Sequence, residues 1–565
     1  MVMRTVPVWP ILVILFFFSS PLDAATGQKA MVVTADPHAT QAALDVLKQG
    51  GNAADAAIAA QWVLNVVEPQ SSGLGGGGFL LYYEADTKRL YAFDGRETAP
   101  AAAFPEMFFD KRGKPYPFKP DRVTGGLPVG VPGTLKLLET VYGRLASKKI
   151  SFADLFNPAV ELAENGFPVS KRLAFYIDQE KHRLKRFPDS RRIFLDAKNR
   201  PLRAGALLRQ PDLAETFRLI QKKGARVFYE GKLAEEIAGA VEKAPFHPGL
   251  MKKEDLASYR VVERGPVRGS YRGYDIFSVG PPSSGGTTLI EALHILENYD
   301  LALLGHTPNG IHVLIEAQKL AFQDRKQFLG DPDFTKVPTE KLLSKEFAKE
   351  RSDTIHFETA IPTPEAAMRP LALEAANTSH LSIVDEQGNC AAYTTTIEEI
   401  FGSAMVVPGR GFFLNNELTD FEEFPKDQSG KIAPNAPQAN KRPRSSMTPA
   451  LVFREGKPAA ILGSPGGSKI IGTVLNVMVN LIDFRMPLEE AVDALRIINR
   501  GGSVEAEPGI FSELPTLKRE LERRGHPVTE LKQPIGNVQA VYFDSDNDLI
   551  RGEADPRGEG KADGY

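Results

Sequence analysis

The 565-residue chain sets 68 Lys and Arg against 71 Asp and Glu, a formal net charge of −3, so it lacks the basic footprint that a nucleic-acid partner requires. Its 42% hydrophobic content can fill a sizeable core, and length alone allows about three or four domains. One cysteine, Cys390, excludes an internal disulfide framework, and its place in a strand favours a small buried side chain over a nucleophile.

At the N-terminus, Arg4 precedes an apolar stretch that ends at residues 11–18, followed by Ser19, Ser20, Pro21 and the small residues Ala24 and Ala25. The stretch is short for a bilayer span and its flanks fit a cleaved secretory signal, residues 1–24. No second run of membrane length follows. The mature chain is therefore expected to be soluble and periplasmic or secreted, an uncleaved anchor being the alternative.

Residues 36–50 predict a capped helix ending in two glycines, and residues 52–67 a second helix whose Ala53, Ala54, Ala57 and Ala60 permit close packing. Next come Glu68-Pro69-Gln70-Ser71-Ser72-Gly73-Leu74-Gly75-Gly76-Gly77-Gly78 and a strand at 79–83. The Lys and Ser/Thr of a phosphate loop are missing and a strand stands where a helix should begin. The glycines instead fit close backbone approach beneath an active site. A strand at 90–94 delivers Arg96, whose guanidinium is either a surface ion-pair partner or a two-pronged carboxylate ligand.

Residues 134–142 predict a helix, and 150–260 read as a mainly helical scaffold with helices at 152–165, 211–223, 232–242 and 253–259. The basic run 181–192 fits a solvated helical face. Strands within 267–278 lead through Pro281-Pro282-Ser283-Ser284-Gly285-Gly286 into a helix at 289–298, and another helix covers 312–329 before Gly330-Asp331-Pro332-Asp333. Residues 351–376 carry Pro362, Pro364 and Pro370 and read as a flexible connection.

Two β-prone runs, 381–384 and 390–397, joined by a polar Gly-containing turn, predict a hairpin with Thr378 at its mouth and Thr396 near the end of the partner strand. Asn415-Asn416-Glu417-Leu418-Thr419-Asp420-Phe421 follows, then a polar, Pro-rich loop at 422–440. Beyond Arg442-Pro443-Arg444-Ser445-Ser446-Met447, strands at 450–453 and 459–462 lead into Gly463-Ser464-Pro465-Gly466-Gly467 and a helix at 469–482. Amides at such a turn favour negative charge and fit an oxyanion hole, a tight strand-to-helix turn being the plain alternative. Short strands and an amphipathic helix at 514–524 close the chain.

A threonine hydroxyl needs a base within hydrogen-bond reach, and no His/Asp pair at an informative spacing offers one. One solution makes Thr378 a chain terminus, so that its own α-amine, a group that ordinarily titrates at roughly 7.7 to 8.0, accepts the proton. That requires the bond before it to be cut, which the same hydroxyl can do by attacking the preceding carbonyl.

These ordered motifs carry a resemblance. Gly50-Gly51-Asn52-Ala53-Ala54-Asp55-Ala56-Ala57, Glu68-Pro69-Gln70 with its glycines, Arg96-Glu97, residues 281–286, 330–333 and 415–421, Thr378-Ser379-His380, residues 442–447 and residues 463–467 together resemble the γ-glutamyltranspeptidases, or glutathione hydrolases, along nearly all of the mature chain. The resemblance implies an α+β N-terminal nucleophile (Ntn) hydrolase fold, a four-layer αββα sandwich of two stacked, mainly antiparallel sheets. It implies a precursor that cuts itself between Asn377 and Thr378 into a large subunit, 25–377, and a small one, 378–565, which form one globular domain. By motif, Thr378 is the nucleophile, Thr396 assists it, and Gly466 and Gly467 supply the oxyanion donors. Arg96, Ser445 and Ser446 would hold the donor's α-carboxylate, and Asp420, Glu417 and Glu398 its α-ammonium, with cation and carboxylates on opposite sides of the pocket.

The implied reaction passes a γ-glutamyl group from glutathione, or another γ-glutamyl compound, through a threonyl ester to water or to an amino acid or peptide amine. Neither a metal nor an organic cofactor is implied, and the nine scattered His residues show no ligand spacing. Two departures from the family pattern stand out. Glu398 occupies a position where many members have Asn, and residues 422–440 lack Tyr and Trp, so an aromatic gate is not expected. The alternatives are a poly-γ-glutamate depolymerase or transpeptidase, a side-chain acylase, and an inactive extracytoplasmic binding protein.

Overall fold

The hairpin expected around Thr378 lies at the centre of the molecule. In the computed structural model, which describes residues 24–363, 377–426 and 430–565, strands Ser379–Val384 and Cys390–Thr396 pair antiparallel, with Ser379 opposite Thr395 and Val384 opposite Cys390. Residues 1–23 of the expected signal segment and residues 364–376 of the expected connection lie outside the described residues. Asp385 sets the hairpin turn: its carboxylate accepts the N–H groups of Gln387 and Asn389, and also that of Ala53. With period-two alternation, Leu381 and Ile383 enter a core shared with the first helices, while Val384 enters the core between the sheets.

Neighbouring strands extend the hairpin into a seven-stranded sheet in the order Lys561–Gly564, Met31–Thr34, Ser379–Val384, Cys390–Thr396, Gly77–Glu84, Arg89–Gly95 and Val262–Arg264. A second seven-stranded sheet runs Ala25–Gly27, Leu549–Ala554, Gln539–Asp544, Lys457–Gly463, Ala450–Arg454, Tyr274–Ser278 and Val267–Tyr271. Neighbours in both sheets are antiparallel.

Helix Ala53–Val67 covers the outer face of the first sheet. Asn52 and Asp55 form its capping box, and every residue in it is buried, which its alanine content makes possible without crowding. Helices Gly285–Leu296, Pro308–Phe328 and Lys469–Ile482 pack together on the side of the second sheet. The expected four-layer αββα sandwich is thus observed.

The glycine run does what close approach requires. A Cβ on Gly76 would lie 2.0 Å from the Thr396 carbonyl oxygen, and one on Gly77 2.5 Å from Glu97 Oε2. Gly463 plays the same part between the sheets, where a Cβ would meet the His380 ring at 2.3 Å. That contact brings the turn after Gly463 to the end of the sandwich where Thr378 starts its strand.

One expectation changes. The basic run 181–192 is split between helices Lys171–Leu184 and Pro188–Phe194, and Arg183 is buried rather than solvated. Its guanidinium donates to Thr124 Oγ1 at 2.9 Å and to the carbonyls of Val123 at 2.8 Å and Ile400 at 3.0 Å. A charge-paired, fully bonded guanidinium tolerates burial, and here it ties the turn after Thr396 to the scaffold. The C-terminal helix is also shorter than expected, Leu517–Arg523.

Candidate active site

Thr378 precedes the strand, buried at 3% exposure, and its hydroxyl donates to Thr396 Oγ1 across the hairpin at 3.3 Å. Thr396 Oγ1 also accepts the Glu398 N–H at 2.9 Å, which fixes that hydroxyl's lone pairs. The backbone at Thr378 has φ +148°, a conformation costing a β-branched residue about 1–3 kcal/mol. Strain therefore sits beside the Asn377–Thr378 bond.

His380 does not serve Thr378. Its Nδ1 and Nε2 pair with Thr394 Oγ1 at 2.8 Å and Ser382 Oγ at 3.1 Å, and burial pushes its pKa down to about 3. The next residue to Thr378 is instead braced from the Glu68-Pro69-Gln70 motif. Ser379 Oγ donates to Glu68 Oε2 at 2.8 Å, and Arg172 pairs with the other oxygen of that carboxylate. Burial raises the Glu68 pKa and Arg172 opposes the rise. Gln70 and Ser71 accept the backbone N–H groups of Phe401 and Ile397, so one loop supports both threonines. The motif is legible in the sequence, but this bracing role is not, because its partners come from distant segments.

Arg96 is 1% exposed. Its Nη1 pairs with Glu417 and its Nη2 with Asp420 at 2.5 Å, while Nε donates to Pro443 O at 3.1 Å and Nη2 to Arg444 O at 3.2 Å. The cation and the carboxylates expected on opposite sides of a pocket are thus in direct contact. Burial works against the Arg96 charge, but Glu417 and Asp420 outweigh it. Arg122 holds the carbonyls of Thr419 and Phe421 at 3.1 and 2.7 Å, and Asn435 that of Asp420 at 2.7 Å, which fixes the turn Glu417–Asp420. Glu97, also buried, has its pKa raised well above the usual carboxylate range by burial and by Glu417. Glu417 is itself pushed up to about 7, chiefly by burial, with Arg96 opposing.

Ser445 and Ser446 sit at the entrance to strand Ala450–Arg454. The Ser445 N–H donates to Pro282 O at 3.0 Å, and its carbonyl accepts from Ser284 N–H and Ser284 Oγ at 2.8 and 2.6 Å. Arg325 Nη2 donates to Ser446 Oγ at 2.7 Å. Gly466 and Gly467 adopt φ +138° and +57°, conformations that favour glycine, just ahead of helix Lys469–Ile482. Glu398 is half-buried at φ +74°. Cys390 is buried in its strand, with its thiol pKa raised by burial. The loop after Phe421 lacks Tyr and Trp but carries Phe424, half exposed, with its ring 6.3 Å edge-on from Phe109.

Comparison with known proteins places this arrangement in a family. The gamma-glutamyltranspeptidase family model matches residues 39–565. The chain is similar to the glutathione hydrolase proenzyme of Bacillus subtilis (strain 168), 39% identical over 555 residues that cover 95% of this chain and 92% of that protein. It is equally similar to the glutathione hydrolase proenzyme of Escherichia coli (strain K12), 39% identical over 543 residues and covering 94% and 91%. Among solved structures, a cephalosporin acylase from Bacillus halodurans superposes with a TM-score of 0.85 at 30% identity, covering 100% of this chain and 99% of that one.

Proposed function

The chain belongs to the gamma-glutamyltranspeptidase family, and from that premise we propose that Thr378 is both the agent of its own exposure and the nucleophile of turnover. The protein is an autoprocessed γ-glutamyltransferase and glutathione hydrolase of the Ntn-hydrolase fold. The observation that carries the assignment is a strained, buried Thr378 hydroxyl 3.3 Å from Thr396, with one buried guanidinium–carboxylate group at Arg96.

In processing, Thr378 Oγ attacks the Asn377 carbonyl, the peptide C–N bond breaks, and the acyl group moves from nitrogen to oxygen. Water then hydrolyses the ester, leaving the Asn377 carboxylate and a free Thr378 amine. The pieces 25–377 and 378–565 stay together because strand Met31–Thr34 of one is paired with strand Ser379–Val384 of the other.

In turnover the amine takes the Oγ proton as oxygen attacks the γ-glutamyl carbonyl. The oxyanion forms against the amides of Gly466 and Gly467. Collapse passes the proton to the departing amine, cysteinylglycine when glutathione is the donor, and leaves a γ-glutamyl ester on Thr378. Water or an acceptor amine completes the cycle.

The donor's head group is a zwitterion, and it enters by exchange. Its α-carboxylate takes donors from Arg96, Ser445 and Ser446, while its ammonium takes Asp420, Glu417 and Glu398, so each partner of the existing ion pair receives a new counter-charge. The site is proposed to reject an acyl group without the ammonium. Glutaryl anilide should have a kcat/KM at least about 100-fold below γ-glutamyl anilide; equal rates would favour a side-chain acylase. Mass spectrometry of the purified protein should find a small piece beginning at Thr378. Turnover of glutathione against poly-γ-glutamate then decides between the leading assignment and the depolymerase alternative.

A pH dependence follows from Glu417. Its carboxylate form binds the ammonium and its protonated form does not, so the KM for γ-glutamyl anilide should fall as pH rises through about 7. Glu417→Gln should raise KM about 10-fold and flatten that limb while leaving any titration of the Thr378 amine in kcat. An unchanged limb in that variant would assign it to another group.

The protein is proposed to act outside the cytoplasm, on the strength of residues 1–24. Among the described residues no helix is long and apolar enough to cross a membrane.

A further inference from the structure

We propose that Arg325 is a positioning residue for the donor's α-carboxylate, acting through Ser446 and, by way of Ser284, through Ser445. The proposal rests on the assignment of those two serines to the carboxylate. Arg325 lies in the last turn of helix Pro308–Phe328, far in sequence from both serines and outside every motif that the sequence singles out.

The geometry is that of a fork. Arg325 Nη2 donates to Ser446 Oγ at 2.7 Å and Nε donates to Ser284 Oγ at 2.7 Å. Ser284 Oγ in turn donates to the Ser445 carbonyl at 2.6 Å. A planar guanidinium with its donors at fixed angles thus sets a hydroxyl and a neighbouring carbonyl relative to each other, which a lysine ammonium cannot do.

The consequence is where the serine protons point. A serine hydroxyl has one proton and two lone pairs. Ser446 Oγ accepts from Arg325, and Ser445 Oγ accepts from the Met447 N–H at 3.1 Å. Neither hydroxyl donates to a protein acceptor among the described residues, so each keeps its proton for a ligand. A cation bonded to a hydroxyl oxygen also strengthens that hydroxyl as a donor to an anion. This matters because Arg96, the cation assigned to the carboxylate, already faces Glu417, Asp420 and two backbone carbonyls.

The test compares two donors, γ-glutamyl anilide and 4-aminobutyryl anilide, which keeps the amine and lacks the α-carboxylate. Arg325→Gln should raise the KM for γ-glutamyl anilide about 10- to 100-fold with little change in kcat, and should leave kcat/KM for 4-aminobutyryl anilide near the parent value. Arg325→Lys, which keeps the charge without the fork, should fall between. Equal losses on both donors, or no loss on either, would overturn the proposal. Ser446→Ala is the control for the underlying assignment: a penalty confined to γ-glutamyl anilide supports the serines as carboxylate ligands, and an equal penalty on both donors removes that assignment. A selective Ser446→Ala with a non-selective Arg325→Gln would sink the role of Arg325 alone. Should Arg325→Gln fail to yield the two processed pieces, the selectivity of Arg325→Lys decides, an unselective loss again counting against the proposal.

Discussion

Thr378→Ala is expected to yield one uncut polypeptide on a denaturing gel, where the parent gives two, and to have no measurable turnover, a loss of about 10⁴-fold or more. Both effects come from one oxygen. The Thr378 hydroxyl is hydrogen-bonded to Thr396, and the nearest imidazole in sequence, His380, is held neutral and occupied by Thr394 and Ser382. With no hydroxyl, nothing attacks the Asn377 carbonyl; with no cut, the nitrogen of residue 378 stays an amide and cannot take a proton. Thr378→Ser separates the two roles. It keeps the oxygen but relaxes the β-branched residue at φ +148°, so it should still be cut, more slowly, because less strain is released as the bond opens. Two pieces from Thr378→Ala would end the processing scheme. A single piece from an active parent would end the use of the amine as base.

What could be read from the chain beforehand was what local spacing controls. The hairpin at 379–396 announces itself by alternating apolar residues and a polar turn, and helix Ala53–Val67 by an alanine-rich run. Sequence motifs also nominated Arg96 and the Glu417–Asp420 turn, through resemblance more than through spacing. Partners distant in sequence were not legible. Arg183 looks like part of a solvated basic run until the carbonyls of Val123 and Ile400 arrive from other segments. The direct Arg96–Glu417 contact depends on a turn that Arg122 and Asn435 hold in place. Arg325 shows no local signal, since an arginine in a last helical turn is ordinary. The pairing of Met31–Thr34 with both Lys561–Gly564 and Ser379–Val384 likewise has no local trace.

Arg96→Ala should have the second largest effect, and it should act on affinity and stability together. Loss of two charge-assisted hydrogen bonds to the donor's α-carboxylate predicts a fall in kcat/KM for γ-glutamyl anilide of about 10²- to 10⁴-fold, carried mainly by KM. The same change leaves Glu417, 1% exposed, without its cation, and stranding one member of a buried ion pair costs about 3–5 kcal/mol. Glu97 lies in the same buried group and Asp420 at its edge, so the variant keeps three carboxyls with no guanidinium among them.

The sign of the pH effect is then determined. Burial already raises the pKa of Glu417 and Glu97 in the folded state, and Arg96 opposes the rise; without it the rise is larger. A carboxyl whose folded pKa exceeds its unfolded value favours folding below the unfolded pKa and loses that contribution as pH climbs through the folded one. Below about pH 7 Glu417 is protonated in both folded proteins, so the melting temperature of Arg96→Ala should lie near the parent's there and fall progressively below it as pH climbs past about 7. Adding Glu417→Gln removes the buried titration, so the double variant should recover much of the stability at the alkaline end while its KM stays high. If Arg96→Ala melts with a constant offset from the parent across that range, the charge pairing is not what Arg96 contributes to the fold. If its KM is unchanged, the carboxylate of the donor binds elsewhere.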